Sequence, residues 1–241
     1  MTPDFHPGLV VVWWMTVASP SAATLARWRA SLDRYEQARA DCLRFAADRE
    51  TSIAAHALKR ALLARVGGLP AAAWRFRLGP YGKPEIDAAM DRPRLRFNVS
   101  HARGFVACAI GLDHDLGLDV ERCRRVRDGL DIASRFFAPA ELALLRRSEI
   151  ARRDETFVRI WTLKEAYIKA VGLGLACPLD SFAFRLNPIG IRFRHDGIDS
   201  PRHWQFAQWR PTRDCVIAVA QRAAPAKTIT LAQRAVRPAD L

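Results

Sequence analysis

Two carboxylates stand one residue apart in the run Gly117-Leu118-Asp119-Val120-Glu121. On a strand, residues two apart face the same side, so Asp119 and Glu121 project together while Leu118 and Val120 face the core. Paired acids repel, and a cation between them relieves the repulsion. Hard oxygen ligands at this spacing suit Mg²⁺, which takes few protein carboxylates and leaves positions for water and phosphate. Taken alone, the pattern also fits a solvated strand end. A second run, Trp161-Thr162-Leu163-Lys164-Glu165-Ala166-Tyr167-Ile168-Lys169, places Glu165 and Lys169 four apart on one helix face. On an open surface they would be an ordinary ion pair. Here Ile160, Trp161, Leu163, Ala166 and Ile168 leave little of the helix free to meet water, so a partly buried Glu and Lys suit a metal and a phosphate. A third run, Phe97-Asn98-Val99-Ser100-His101, offers a hydroxyl, an imidazole and turn N–H groups to an anion. A serine hydrolase is the competing chemistry, but the chain has no G-x-S-x-G, and adjacency of Ser and His does not make a triad. A turn capped by Ser100 beside a structural His101 is the plain alternative.

These side chains need a scaffold of mixed helices and strands. Residues 8–18 (GLVVVWWMTVA) read as a buried first strand, and residues 22–47, rich in Ala and Arg, as a helix with Ser21 as its N-cap. A second helix is expected over 48–66, where Ile53, Ala57, Leu58, Ala61 and Leu62 recur at helical spacing before Gly67-Gly68. Gly79-Pro80-Tyr81-Gly82-Lys83-Pro84 reads as a loop. Strands are expected over 95–99, 104–110 and 116–120, with residues 100–103 as a turn. The second half repeats the grammar: helices over 139–147 and 155–171, then strands over 181–186, 204–209 and 215–220. Two echoes tie the halves together. Leu58-Lys59-Arg60-Ala61 resembles Leu163-Lys164-Glu165-Ala166, 105 residues on, and the strand at 105–110 resembles that at 215–220, 110 residues on. The spacing suggests two copies of one α+β unit, with subdomains over 1–111 and 112–224 and a weakly patterned tail over 225–241.

Composition narrows the class of protein. The chain has 241 residues, a formal net charge of +13 and 50% hydrophobic residues, the balance of a packed protein rather than a disordered one. Its longest apolar run falls short of the roughly 18 residues a membrane helix needs, and no basic segment precedes it as a secretory signal would require. Five scattered cysteines without a C-x-x-C pair argue against a disulfide framework or a zinc site and fit a cytoplasmic protein. The positive charge calls for an anionic partner: nucleic acid, membrane, a phosphorylated metabolite or an acidic protein. A basic nucleic-acid-binding protein would interleave its basic residues with exposed aromatics. Trp13, Trp14, Trp161 and Trp204 lie in apolar segments instead.

In combination the runs resemble one family. Gly82-Lys83-Pro84, then FNVSH, GLDVE and WTLKEAYIK, followed by GLG and PLDSF, match in order the 4′-phosphopantetheinyl transferases of the large, surfactin-synthetase-activating class. G-[IVL]-D-[IVL]-E and W-[ST]-x-K-E-[AS]-x-x-K are that family's signatures, and the resemblance runs from about residue 44 to residue 186. It implies two similar α+β subdomains in a pseudo-two-fold arrangement. It also implies transfer of the phosphopantetheine arm of coenzyme A to a serine of an acidic apo acyl or peptidyl carrier protein, releasing adenosine 3′,5′-bisphosphate. Carried over by residue, Asp119, Glu121 and Glu165 would hold Mg²⁺, and Glu165 would take the serine proton. Lys169 would meet the pyrophosphate. Ser100 and His101 would bind pyrophosphate and 3′-phosphate, with Lys83 beside the adenosine. The sequence departs from the family pattern at Thr51, where relatives often carry an arginine, and at Ala38 and Asp41, where some are basic; Arg44 and Arg49 are the nearby substitutes. The resemblance further implies a monomer with no need of nucleic acid or membrane. An inactive relative that only binds carriers is the remaining alternative, against which the intact acidic and lysine positions speak.

Overall fold

The structure is a computed structural model that describes residues 5–92, 94–195, 199–223 and 229–241. Its first half runs β1 (Leu9–Thr16), α1 (Ala22–Ala30), α2 (Arg34–Asp41), α3 (Ala46–Gly67), a short hairpin of β2 (Phe76–Leu78) and β3 (Pro84–Ile86), then β4 (Leu95–Ala102) and β5 (Phe105–Leu112). The second half repeats the series as β6 (Leu116–Arg122), α4 (Gly129–Phe136), α5 (Pro139–Arg147), α6 (Ile150–Val171), the hairpin β7 (Phe182–Leu186) and β8 (Ile189–Phe193), then β9 (Trp204–Thr212) and β10 (Cys215–Arg222). In both halves the last strand of the series sits in the middle of the sheet: β1-β5-β4 in one, β6-β10-β9 in the other, all antiparallel. The α+β class and the repeated unit expected from the sequence are both present.

Strand alternation explains the layering. Odd-numbered residues of β1, such as Leu9 and Val11, pack with Ile53, Leu58 and Leu62 of α3. Even-numbered Val10 and Val12 turn the other way, with Phe105 and Ala107, onto Leu118, Val120 and Ile217 of the second half. Two sheets therefore meet face to face, each backed by its long helix. A Val or Leu fully removed from water contributes about 1.5–3 kcal/mol, so this shared core locks the halves together. It also fixes the other face of β6. Gly117, Asp119 and Glu121 are turned toward α6, so the acids face a helix rather than solvent.

Each long helix carries a buried lysine at the corresponding place. Lys59 pairs with Glu36, and Lys164 Nζ lies 2.8 Å from Glu141, both 105 residues further on. Lys164 also donates to the carbonyls of Leu179 and Phe182. The lysine of the Lys164-Glu165 pair is thus a structural post that points away from the chemistry.

Several expected elements differ. The helix expected over 22–47 is two helices, because Asp33 accepts from Glu36 N while Glu36 accepts from Asp33 N, a reciprocal cap that starts α2 afresh. The stretch 79–84 is the turn of a hairpin whose three-residue strands escape any periodicity test. Residues 100–102, expected as a turn, extend β4: Ser100 pairs with Ala107 and His101 with Val106, and the chain reverses at Gly104, whose φ is +68°. The segment 225–241, expected as a tail, contributes β11 (Thr230–Ala235), which pairs parallel with the outer edge of β1. Beyond that strand, Arg27 of α1 donates to the carbonyls of Pro238 and Leu241 and fastens the C-terminal turn.

Candidate active site

The site forms where β4, β6 and α6 converge, and a glycine permits the convergence. A Cβ on Gly117 would lie 2.0 Å from the carbonyl oxygen of Ala166 and 2.4 Å from the amide of Ala170. Only a bare Cα lets α6 lie this close on β6, and that approach brings Glu165 and Lys169 beside Asp119. Across the seam between the sheets, β4 and β6 are joined by side chains in place of a backbone ladder. Asn98 Oδ1 accepts from Leu118 N at 3.0 Å, and Ser100 Oγ accepts from Val120 N at 3.3 Å.

Asp119 is the centre of the arrangement and is 4% exposed. Its Oδ1 accepts from Lys169 Nζ at 2.6 Å and from Ser100 Oγ at 3.0 Å, and Lys169 Nζ lies 3.0 Å from the same hydroxyl. Its Oδ2 is buried with no partner. Around this pair the remaining acids are ill at ease. Burial, then repulsion from Asp119, pushes the Glu121 carboxyl up to about 7, against the pull of Lys169 and a hydrogen bond from Trp161. Burial and then Asp119 also raise Glu165, again opposed by Lys169. Carboxyls raised by burial beside a buried carboxylate suit a cation, and an orphaned carboxylate oxygen offers it a place. Oxygen donors of this kind fit a hard divalent metal. Among the described residues, however, no three such side chains already converge as a metal cage.

The other expected residues divide. Ser100 is at the centre. His101 lies at the exposed end of β4, its ionisation lowered by partial desolvation and then by Lys169 and His56. Lys83 reaches across from the β2–β3 turn to the carbonyl of Ala170 at 2.8 Å and that of Leu116 at 3.3 Å, where burial lowers its pKa. It ties the first half to the last turn of α6, one residue beyond Lys169. Arg44 lies over the Phe45 ring, and Arg49 donates to the carbonyls of Leu43 and Arg44, so both shape the turn into α3. Thr51 is buried, donates to Ala47 O and accepts from Gly104 N, bracing the β4–β5 turn. Two participants were not anticipated. Asn98 belongs to the FNVSH run but had no assigned part. Trp161 read as core, although its place four residues before Glu165 and eight before Lys169 puts all three on one face of α6.

Two open cavities lie at the end of β6, both lined by Arg122 and Arg124. One of about 450 Å³ is lined by Thr51, Arg103, Gly104 and Arg122. The other, of about 550 Å³, is lined by Glu121, Arg124, Arg125, Phe157 and Trp161. Phe137, Phe157 and Trp161 cluster with near-parallel rings, their centroids 5.1, 6.0 and 6.3 Å apart. A buried acidic centre with a lysine, bordered by arginines, has the chemistry to take a cation and a phosphate side by side.

Comparison with known proteins makes that chemistry specific. The family described as 4′-phosphopantetheinyl transferase superfamily matches residues 115–220, and a second, 4′-phosphopantetheinyl transferase, N-terminal, matches residues 17–111. A 4′-phosphopantetheinyl transferase of Bacillus subtilis is 34% identical, over 68% of this chain and 69% of its own length. The 4′-phosphopantetheinyl transferase HetI of a Nostoc species is 30% identical, over 88% of this chain and 86% of its own. The transferase Sfp of Bacillus subtilis is 34% identical, over 63% of this chain and 66% of its own. The chain belongs to the 4′-phosphopantetheinyl transferase superfamily. It is a transferase enzyme that uses coenzyme A to phosphopantetheinylate carrier proteins, as the sequence resemblance implied.

Proposed function

We propose that the cleft between β4, β6 and α6 is where the phosphopantetheine arm leaves coenzyme A for the carrier serine, with Mg²⁺ held by Asp119, Glu121 and Glu165. The observation that carries this reading is Asp119, buried with one oxygen on Lys169 and the other bare, beside two carboxyls raised first by burial and then by its charge. Mg²⁺ would supply the charge that draws electrons from the breaking phosphoanhydride. Phosphoryl transfer needs placement and charge neutralisation more than covalent help. Lys169 gives a cation on a side chain 31% exposed, free enough to follow a phosphate oxygen. Ser100 holds its hydroxyl in the β4–β6 seam, and His101 offers an imidazole at the strand end. Glu165, with its proton affinity raised by burial, suits the task of accepting the serine proton. Lys83 braces the α6 terminus near the adenosine end of the cleft.

The exposed arginines Arg124, Arg125 and Arg127 line the cavity beside Glu121, and together with exposed Arg146, Arg147 and Arg152 they would draw in an acidic carrier. With the charge so used, a cytoplasmic monomer needs neither nucleic acid nor membrane, and no helix among the described residues is long and apolar enough to cross a membrane. The test is incubation with coenzyme A, Mg²⁺ and a panel of apo carriers, read by mass shift. Asp119→Asn and Glu165→Gln should remain folded and lose transfer. Wild-type transfer by both would sink the site, and steep salt-dependent DNA binding by the wild type would favour a nucleic-acid partner instead.

A further inference from the structure

The contact between Lys169 and Asp119 bears on how the site fills. Asp119 is 4% exposed, and a carboxylate buried so deeply is costly without a counterion. Lys169 fills that need at 2.6 Å, and Ser100 Oγ fixes both groups, 3.0 Å from each. The same carboxylate is the innermost of the three proposed metal ligands, and no three-acid cage is formed among the described residues. A metal reaching the bare Oδ2 would therefore put a second cation on a carboxylate whose Oδ1 the lysine already holds. Two positive charges on one buried carboxylate repel, so each weakens the other's hold on Asp119 until the lysine swings away. Lys169 gives up its ion pair readily only if another anion awaits it, and the nearest candidate chemistry is a phosphate of coenzyme A.

We propose that Lys169 is a built-in stand-in cation for the metal, so that divalent metal and coenzyme A enter the site together, each weak without the other. This rests on the site reading above. The bond network carries the argument: Ser100 anchors the lysine on the acid, and the side chain of Lys169, 31% exposed, has room to swing outward. Coupling of this kind is reciprocal, so coenzyme A strengthens Mg²⁺ binding by the same factor as Mg²⁺ strengthens coenzyme A.

The test is calorimetric and thermal titration of the full chain with Mg²⁺ alone, coenzyme A alone, and each in the presence of the other. For the wild type, Mg²⁺ alone should leave the melting temperature nearly unchanged, and coenzyme A should raise Mg²⁺ affinity at least tenfold. Lys169→Met should bind Mg²⁺ at least tenfold more tightly than the wild type without coenzyme A, and the coupling should shrink to a few-fold. Ser100→Ala keeps the lysine's charge but removes its anchor, so Mg²⁺ affinity without coenzyme A should rise several-fold. Long-range repulsion alone would leave that variant like the wild type, and this result overturns the proposal. So does Lys169→Met binding Mg²⁺ no more tightly than the wild type. Should Lys169→Met fail to fold, Ser100→Ala decides alone. Asp119→Asn separates the two readings: if it binds Mg²⁺ with coenzyme A as well as the wild type does, the metal site itself is misplaced, whatever Lys169 does.

Discussion

Replacing Gly117 with alanine adds one methyl group where β6 and α6 touch. Its carbon would stand 2.0 Å from Ala166 O, 2.4 Å from Ala170 N and 3.0 Å from Ala170 Cα, all backbone atoms that no rotamer change can move. Real carbons essentially never approach closer than about 3 Å, so α6 must retreat from the strand by at least about 1 Å. The retreat opens the packing around Ala166 and Ala170, both buried, and forcing a methyl into a filled core costs about 1–3 kcal/mol, more when backbone must move. It also carries Glu165 and Lys169 away from Asp119. A misplacement of about 1 Å in a catalytic constellation costs about 10²-fold in rate. The expected variant folds with a lowered denaturant midpoint and loads a carrier about a hundredfold more slowly, as read by urea titration and by mass shift over time. Gly190→Ala is the control: the nearest atom to its added carbon is the Arg185 guanidinium at 3.9 Å, and both measurements should stay at wild-type values. If Gly117→Ala keeps wild-type stability and turnover, the close approach of α6 does not set the site, and the reasoning fails.

Other expectations concern charge. Glu141→Gln or Lys164→Met leaves an unpaired charge at a fully buried position and should cost about 3–5 kcal/mol, whereas the double variant should recover part of it; equal losses for singles and double in urea titrations would contradict this. Glu121, raised from 4.5 to about 7, binds a proton in the ligand-free fold that the unfolded chain releases, so its contribution to stability is present below pH 4.5 and lost as pH rises through about 7. A bound cation reverses that penalty, so the melting-temperature gain from Mg²⁺ with coenzyme A should widen between about pH 5.5 and 8; a constant gain would show that Glu121 is not beside the cation. Arg124→Glu with Arg125→Glu should raise KM for the carrier several-fold and flatten its salt dependence while leaving KM for coenzyme A unchanged. An equal rise in both would mean that these arginines serve the nucleotide.

How much the sequence disclosed depends on the range of the interactions involved. Strand alternation put Asp119 and Glu121 on one face, helical spacing put Glu165 and Lys169 on another, and packing joined those faces. The reciprocal cap of Asp33 and Glu36 was written in the chain as an acid three residues before an acid, and it explains why one expected helix is two. The 105-residue echo around Lys59 and Lys164 was visible, but its meaning was not. Their partners, Glu36 and Glu141, lie on separate helices and share no surrounding motif. The parallel pairing of β11 with β1 joins residues more than two hundred apart, and nothing local in 225–241 foretells it. The bond from Lys83 to the end of α6 was hidden for the same reason, since a carbonyl at a helix terminus has no residue type to announce it.

The repeated unit raises the question of why two equivalent halves would make one site. Strand pairing answers it residue by residue. Asp119 pairs with Ala218; the residue equivalent to Ala218, 110 places earlier, is Cys108, and it pairs with Trp13. Trp13 therefore stands in the first half where Asp119 stands in the second. By the same register Glu121 corresponds to Met15 and Ser100 to Trp209, and by the helix offset of 105 Glu165 corresponds to Arg60 and Lys169 to Ala64. Every one of these polar groups has an apolar or oppositely charged counterpart, and Trp14 and Trp209 meet edge to face at 6.3 Å where the second seam would open. The edge of β1 that corresponds to the seam of β6 is taken by β11, with Ile229 N donating to Gln205 Oε1 of β9. The C-terminal strand thus seals one seam with a backbone ladder. The other is bridged by side chains, Asn98 and Ser100 on β4 and Arg122 on β6, which accounts for the proposed cleft lying on that side. Asymmetry of the two edges, more than of the two folds, accounts for a single proposed site.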